Sequence, residues 1–204
     1  MPVAIPDSLY KNSYPTIEQI TRNKLLDAGI RCIDRYGIKK TNIRLIAEES
    51  GIARQTVYNY FKNKNELLSQ AFQREGEKLG QAAAVHIERF EGTENKFIEA
   101  FLFIYENFPK NPILAKVIEP GGDFFSTIGV PDYQYATYGK LVFGQMFEEH
   151  PYLKPDADSI AELWIRGIMS FLTMPGPTIK TRDELREFVR CRFLPGLGLK
   201  SQQS

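Results

Sequence analysis

The sequence has little of what marks membrane, secreted or metal-binding proteins. Its 204 residues contain no stretch that approaches the roughly 20 uninterrupted apolar residues of a membrane helix. The first residues have neither the charged start nor the apolar run of a signal peptide, so we expect a cytoplasmic protein without membrane contact. Cys32 and Cys191 are too few for a disulfide framework and lack the clustered spacing of a zinc site. Both are predicted to be small buried hydrophobic residues.

Catalytic motifs are absent as well. The sequence contains no P-loop, no dinucleotide glycine fingerprint, no nucleophile elbow and no paired-histidine metal motif. His86 and His150 lack metal-ligand spacing and are expected to be surface or hydrogen-bonded residues. These absences argue against an enzyme and predict that the protein holds no metal and no cofactor.

Charged and aromatic residues are unevenly distributed along the chain. Residues 1–65 carry 11 Lys and Arg against 6 Asp and Glu, whereas residues 66–204 carry 15 against 19. Of the 25 Phe, Tyr and Trp residues, 6 lie in the first part and 19 in the second. A small basic head thus precedes a larger aromatic body, which suggests a polyanionic partner for the head and a hydrophobic core or cavity in the body.

Apolar spacing predicts an all-α fold without strands. Residues 1–15 are predicted to be a flexible tail, because they contain three prolines and little periodicity. A capping box of Thr16 and Gln19 begins the first helix, which Gly37 should stop. Two short helices follow, and Asn63 with Glu66 caps a long fourth helix that reaches about His86. The later helices are predicted over residues 93–108, 113–118, 132–150, 158–174 and 181–193, the last with a capping box of Thr181 and Glu184.

The segment 43–61 has the residue pattern of a helix-turn-helix. Ala47 is small where two helices must cross closely, and Gly51 can adopt the positive φ that ends the first helix and turns the chain. Val57 is predicted to fill the angle between the two helices. The other members of this small core are Ile43, Ile46 and Ile52.

The second helix of this motif has a polar outer face. On a helical wheel centred on Val57, Ala53 and Phe61 fall beside it on the buried side. The outward surface contains no acidic residue; it comprises Gln55 and Asn59, with Thr56 and Tyr58 on the flanks and Arg54 and Tyr60 near the margins. Gln and Asn can pair two ways with adenine, and Arg with guanine, in a major groove that admits one helix. Lys62 and Lys64 follow at the start of the fourth helix, where phosphate is attracted.

The stretch TNIRLIAEESGIARQTVYNYFKNKNELL, residues 41–68, resembles the signature of the tetracycline-repressor (TetR) family of transcriptional regulators. The shared features are a threonine that opens the second helix, Ile-Ala before the turn, Tyr-x-Tyr-Phe at the end of the third helix, and a lysine with Glu-Leu-Leu at the start of the fourth. Detailed similarity covers roughly residues 20–68, and the remainder agrees only in helical character and length.

The resemblance implies a regulator, a repressor that binds a palindromic DNA operator as a homodimer. It implies that Arg54 and Gln55, with Asn59, read bases. It assigns contacts with the DNA phosphate backbone to Thr41, Arg44, Thr56, Tyr58, Tyr60 and Lys64. Half-buried packing is the alternative for the two tyrosines, and the two roles can coexist. Two positions depart from the family. Ala53 stands where Ser or Thr commonly caps the recognition helix, a loss of about 1 kcal/mol, and Gln55 stands where a small residue is usual, which implies its own operator preference.

The resemblance divides the chain into a helix-turn-helix domain, residues 16–62, and a helical ligand-binding and dimerisation bundle, residues 63–204. The aromatic content of the body suggests a small hydrophobic or aromatic inducer, and the resemblance places a cavity for it among Phe97, Phe101, Tyr105, Tyr138, Val142, Met146, Trp164, Ile168 and Phe171. A dry core is the alternative for each of these residues. The last two helices would pair with their copies in a dimer, where Gly167 and Ser170 would permit close approach, or form an internal core. In the alternative function, the body docks a protein partner and binds no small ligand.

Overall fold

A computed structural model describes residues 15–119, 135–174 and 176–198. The predicted all-α class is confirmed, because every regular element in these ranges is helical. The chain divides into two compact units between Leu68 and Ser69, inside the fourth helix, whereas the sequence placed the division at the start of that helix. The predicted tail lies outside the described residues except for Pro15.

The first unit consists of three helices and the start of a fourth. They are α1 (Ile17–Lys40), α2 (Ile43–Ser50), α3 (Arg54–Tyr60) and α4 (Lys64–Ile87), which continues into the second unit. The predicted capping box begins α1: the Thr16 hydroxyl accepts from the Gln19 N–H at 3.2 Å, and the Gln19 side chain accepts from the Thr16 N–H at 2.8 Å. At Gly37 the backbone leaves helical geometry with φ 74° and ψ 165°, so the predicted break is present, although helical structure resumes as far as Lys40.

The core of the first unit joins α1 to the helices that follow it. A Cβ on Gly29 of α1 would lie 2.5 Å from Cδ2 of Leu67, so the two helices meet more closely than a larger residue permits. The buried apolar residues are Leu25, Leu26, Ala28, Cys32, Ile33, Ile43, Ile46, Ala47, Val57, Phe61, Leu67 and Leu68. This core holds the helix-turn-helix segment in place.

The second unit contains the rest of α4 and the helices of the body. These are α5 (Thr93–Asn107), α6 (Ala115–Ile118), α7 (Tyr135–Glu149), α8 (Ala157–Thr173) and α9 (Arg182–Phe188), with 3₁₀ turns at Phe108–Lys110 and Pro151–Asp156. The first residues of the helix predicted over 132–150 lie outside the described ranges. The predicted capping box of α9 is present: the Thr181 hydroxyl accepts from the Glu184 N–H at 3.2 Å, and the Glu184 carboxylate accepts from the Thr181 N–H at 2.9 Å.

The prediction of a single α-helix over 181–193 is wrong for its second half. After α9 the chain forms a π-helical turn (Val189–Phe193), which the N–H of Leu194 closes by donating to the Val189 carbonyl. A 3₁₀ turn (Leu194–Leu197) follows. Pro195 lacks an N–H and its ring is incompatible with an α-helix interior, which gives a physical reason for the change of geometry.

Glycines let the helices of the second unit approach closely. A Cβ on Gly139 of α7 would lie 2.1 Å from Cβ and 2.8 Å from Cα of Ala161 on α8. On α4, a Cβ at Gly80 would lie 2.9 Å from Cδ2 of Leu141. Because heavy atoms in contact normally lie about 3.5–4.0 Å apart, α7 is packed tightly against both α8 and α4.

A buried carboxylate on α5 is paired with two cations from α9. Glu99 is 2% exposed, and its carboxylate contacts Arg182 at 3.2 Å and Arg186. Nε2 of His86 lies 3.8 Å from the same carboxylate, and Nδ1 of His86 contacts Arg89 at 2.6 Å. Burial, followed by the charge of Arg89, lowers the pKa of His86 below its ordinary value of 6.5. His86 is therefore a hydrogen-bonded histidine, as the sequence predicted.

The two cysteines differ in burial. Cys32 is buried in the first unit, as predicted, and burial raises the pKa of its thiol. The prediction is wrong for Cys191, which is exposed and donates from Sγ to Oε1 of Glu187 at 2.8 Å. Cys191 lies in the π-helical turn, whose inward position is taken by Val189.

Candidate nucleic-acid interface

The helix-turn-helix has the backbone that its sequence predicts. Asn42 caps α2, with Oδ1 accepting from the Leu45 N–H at 3.1 Å. Gly51 ends α2 in the left-handed region at φ 65° and ψ 24°, a conformation that costs other residues about 1–2 kcal/mol. The N–H of Ile52 then donates to the Ala47 carbonyl at 3.2 Å, which closes the turn. Ile43, Ile46 and Val57 are buried and Ile52 is half-buried.

The faces of α3 are as the helical wheel predicts, with one correction. Val57 and Phe61 are 0% and 1% exposed, and Gln55 and Asn59 are exposed on the other side. Ala53 is exposed, so its predicted place on the buried face is wrong. It is the N-cap residue, with φ −56° and ψ 137°, and a wheel does not describe a residue outside the helix. As predicted, α3 has no side-chain cap at this residue.

Arg54 and Tyr58 form a pair on the outer surface of α3. Nη2 of Arg54 donates to the Tyr58 hydroxyl at 3.2 Å, and the guanidinium carbon lies 5.6 Å from the ring centroid. Tyr58 is 41% exposed. A spacing of four residues brings side chains together on a helix, so the tyrosine holds the guanidinium along the exposed face. Nothing in α3 offers a competing carboxylate.

Thr41 and Lys64 both contact the bend that follows Gly37. Thr41 is 1% exposed, and its hydroxyl donates to the Gly37 carbonyl at 2.8 Å. Its backbone N–H donates to the same oxygen at 3.2 Å. Nζ of Lys64 donates to the Ile38 carbonyl at 3.2 Å. An ammonium has three donors and a threonine hydroxyl has one, so Lys64 keeps donors for another partner and Thr41 does not.

The other residues predicted to contact the DNA phosphate backbone differ in the exposure of their side chains. Arg44 is exposed and pairs with Glu48 at 2.9 Å, one turn along α2. Thr56 and Tyr60 are half-buried beside the exposed face of α3. The sequence did not single out Arg22, whose guanidinium carbon lies 5.2 Å over the Phe61 ring. No local spacing could reveal this contact, because it joins α1 to the end of α3.

The start of α4 is capped as the sequence predicts. Oδ1 of Asn63 accepts from the Glu66 N–H at 2.9 Å, and the Glu66 carboxylate accepts from the Lys62 N–H at 2.7 Å. Lys62 is exposed, next to this helix N-terminus. The two lysines and the helix end together form a site suited to a phosphate group.

The residues predicted to line a cavity are brought together in the core of the second unit. Phe97, Phe101, Val142, Met146, Trp164 and Ile168 are all buried members of one apolar cluster, against which the half-buried Tyr105 and Phe171 pack. The rings are in contact, with 4.3 Å between the centroids of Phe97 and Phe143 and 4.8 Å between those of Phe143 and Trp164. Nε1 of Trp164 is buried and has no hydrogen-bond partner among the described residues.

Tyr138 is the predicted lining residue that packs against α4. Its ring would lie 3.3 Å from a Cβ on Gly76, and its hydroxyl lies 3.5 Å from the Gln73 carbonyl oxygen. Burial, and to a lesser extent the charge of Glu77, raises the pKa of Tyr138 to about 12. The phenol is therefore neutral at physiological pH.

The described ranges lack metal-binding and membrane-spanning features. They contain no group of three His, Cys, Asp or Glu side chains arranged to hold a metal ion. In the same ranges no helix has the length and apolar character needed to cross a membrane.

Comparison with known proteins identifies the segment that carries the helix-turn-helix. The family model described as "Bacterial regulatory proteins, tetR family" matches residues 25–71. The fatty acid metabolism regulator protein of Bacillus subtilis is 37% identical over 68 residues, 33% of this chain and 31% of that protein. The transcriptional regulator AcrR of Shigella flexneri is 28% identical over 74 residues, 36% and 34% of the two chains. The chain thus matches about a third of the length of these curated relatives.

Solved structures resemble the chain over most of its length. The TetR family repressor AlkX from Dietzia sp. has a TM-score of 0.63 at 18% identity, covering 87% of this chain and 95% of that chain. A TetR-family regulator from Mesorhizobium loti has a TM-score of 0.56 at 16% identity, covering 89% and 98%. At such low identity these neighbours establish the fold, an N-terminal helix-turn-helix domain followed by a helical body.

Proposed function

Because the chain belongs to the tetR family of bacterial regulatory proteins, we propose that it is a homodimeric repressor that binds a palindromic operator and is released by a small hydrophobic or aromatic inducer. Its relatives are regulators and not enzymes. Two α3 helices spaced about 34–36 Å apart would enter successive major grooves of duplex DNA. The curated relatives match over about a third of this chain, so their names do not specify its inducer.

The observation that carries the proposal is the exposed, acid-free face of α3. Val57 and Phe61 anchor one side of this short helix in the core, and Arg54, Gln55 and Asn59 are exposed on the other. Guanidinium and amide groups offer the paired donors and acceptors that distinguish guanine and adenine in the major groove. We assign base reading to these three residues. Because Tyr58 holds the guanidinium of Arg54, this arginine is partly ordered before DNA arrives.

We assign contacts with the DNA phosphate backbone to residues around this face. Arg44, Thr56, Tyr58, Tyr60 and Lys64 contribute side-chain donors, and Lys64 has donors left beyond its bond to Ile38. Thr41 has a positioning role, because its hydroxyl and its N–H both donate to Gly37. It holds the bend between α1 and α2 and so sets where α2 begins.

A selection of operator sequences tests the base-reading assignment. Arg54→Ala and Gln55→Ala should each relax preference at particular base pairs, with a loss of about 1–3 kcal/mol of discrimination per contact. Lys64→Ala should weaken binding to all sequences alike and lower the salt slope by about one. Lys180→Ala, an exposed site in the second unit, is the matched control and should change neither. An unchanged preferred sequence for Gln55→Ala would contradict its assignment.

We propose that exposed apolar residues of α8 and α9 form the dimer interface. The apolar residues of these two helices and of the turn after α9 divide into two sets: Ile160, Trp164, Ile168, Leu185 and Val189 are buried within the chain, and Leu163 and Phe188 are 43% and 37% exposed. Gly167 serves internal packing, since a Cβ there would lie 2.3 Å from the Phe193 ring. This explains its small size without a partner subunit.

Molecular mass in solution tests the interface. Leu163→Lys should convert a dimer to monomers, because it puts a charge into a desolvated apolar contact. Val85→Lys, on α4, replaces a valine that is 68% exposed and should leave the dimer intact. A monomeric unsubstituted protein, or a dimer that survives Leu163→Lys, would place the interface elsewhere or remove it.

The inducer part of the proposal predicts reciprocal coupling. If a ligand weakens operator binding, operator DNA must weaken ligand binding by the same factor, typically about 5- to 150-fold. Titrations with and without operator should therefore differ by that factor. The alternative, a body that docks a protein partner, is favoured by the ring-to-ring packing of Phe97, Phe143 and Trp164. Failure to find any small ligand that alters operator affinity would support that alternative.

A further inference from the structure

We propose that the inducer of this chain is an uncharged apolar molecule with a hydrogen-bond acceptor, such as a carbonyl group, and that the indole N–H of Trp164 donates to it. The inference rests on the proposed ligand response, and it names the class of ligand and the atom that recognises it.

The unpaired indole N–H is the first observation. Trp164 is 1% exposed, and its Nε1 has no hydrogen-bond partner among the described residues. Buried polar groups in folded proteins are nearly always paired, and an indole nitrogen can only donate. The two rings that meet Trp164 edge to face, Phe101 and Phe143, are at most weak acceptors. An oxygen acceptor from a bound molecule would satisfy this donor.

The surroundings of Trp164 select against charge. The buried cluster that contains it consists of apolar side chains, and those packed against it add one hydroxyl, that of Tyr105. The buried carboxylate of α5, Glu99, is already paired with Arg182 and Arg186. A carboxylate ligand would therefore enter a desolvated region without a free cation from these residues, which is strongly unfavourable. A hydrocarbon would match the apolar side chains of this cluster but leave the N–H unpaired.

Ligands matched in size separate these possibilities. Methyl octanoate carries a carbonyl, octane lacks an acceptor, and octanoate is charged; all three absorb little light where indole is excited. Trp164 is the only tryptophan of the chain, so intrinsic fluorescence and the indole bands of ultraviolet resonance Raman report this site alone. The 204-residue chain without DNA should show an indole N–H that is not hydrogen-bonded. Methyl octanoate should convert it to the hydrogen-bonded form.

Calorimetric titration gives the expected preference. Methyl octanoate should bind about 2- to 12-fold more tightly than octane, the ratio given by one net hydrogen bond of roughly 0.5–1.5 kcal/mol. Octanoate should bind more weakly than the ester. Trp164→Phe should abolish the preference for the ester over octane. Phe171→Leu, the control, alters a ring that packs against the cluster and should weaken both ligands alike while keeping their ratio.

The outcomes are distinct from those that test DNA binding. A hydrogen-bonded indole in the free protein, equal affinity for ester and octane, tighter binding of octanoate, or no binding of any of the three would overturn the proposal. Since the Raman measurement uses the unsubstituted protein, the result does not depend on the folding of Trp164→Phe. An ester that binds as expected but does not alter operator affinity would leave this ligand site standing and refute the regulatory response.

Discussion

Two glycines of α7 provide a matched test of how tightly this helix packs on α8. Gly139 faces Ala161, where a Cβ would lie 2.1 Å from Cβ and 2.8 Å from Cα. Gly144, in the same helix, has nothing within 4 Å of the position its Cβ would occupy. We predict that Gly139→Ala destabilises the second unit and that Gly144→Ala stabilises it.

The expected changes in unfolding free energy combine a helical gain that both substitutions share with a steric cost that arises only at residue 139. Alanine in place of glycine inside a helix gains about 0.5–1 kcal/mol at either position. Only at residue 139 must the helices separate, because one obstructing atom is backbone, and such overpacking costs typically about 1–3 kcal/mol. The helical gain cancels in the comparison, so the two variants should differ in free energy of unfolding by roughly 1–3 kcal/mol.

Urea unfolding followed by Trp164 fluorescence measures this difference. The single tryptophan lies on α8. Its fluorescence therefore reports the unfolding of the second unit without interference from the first. With an m value of roughly 2 kcal/mol/M, the two midpoints should differ by about 0.5–1.5 M. Equal midpoints, or a higher midpoint for Gly139→Ala, would refute the close crossing of α7 and α8.

Three further predictions concern caps and turns. Ala53→Ser should add the missing cap of α3 and stabilise the first unit by about 1 kcal/mol, measured by circular dichroism; no gain would show that α3 does not begin at this residue. Gly51→Ala should cost about 1–2 kcal/mol, because alanine is strained at φ 65°, and a neutral result would contradict the left-handed turn. The N–H groups of Lys180 and Thr181 lower the pKa of Glu184 below its ordinary value of 4.5. Its stabilisation is therefore present above pH 4.5 and lost as pH falls through the lowered value; Glu184→Gln should flatten this part of the pH–stability curve, and an unchanged curve would contradict the cap.

Local features were predictable from the sequence because their causes are local. The caps at Thr16, Asn63 and Thr181 depend on residues three positions apart, and the turn at Gly51 depends on one glycine. The buried position of Val57 follows from helical periodicity. Ala53 shows the limit of that method, since the wheel assigns it a helical angle that the backbone does not have.

Features that join distant segments were not predictable. Thr41 and Lys64 resemble family positions that contact phosphate, but their hydrogen bonds to Gly37 and Ile38 depend on how the chain bends after α1. The resemblance placed Trp164 at an inducer cavity, with a dry core as the alternative, whereas its unpaired N–H depends on every residue around it. Spacing within one helix carries no information about such contacts.

The ion pairs of Glu99 constrain the order in which the chain can fold during synthesis. Glu99 leaves the ribosome well before Arg182 and Arg186, and until they emerge its carboxylate must stay hydrated, because burying it alone is prohibitive. The first unit has no such dependence, since its core residues all precede Ser69. We therefore expect nascent chains to acquire a protease-resistant head early, while the body closes only after translation has passed α9.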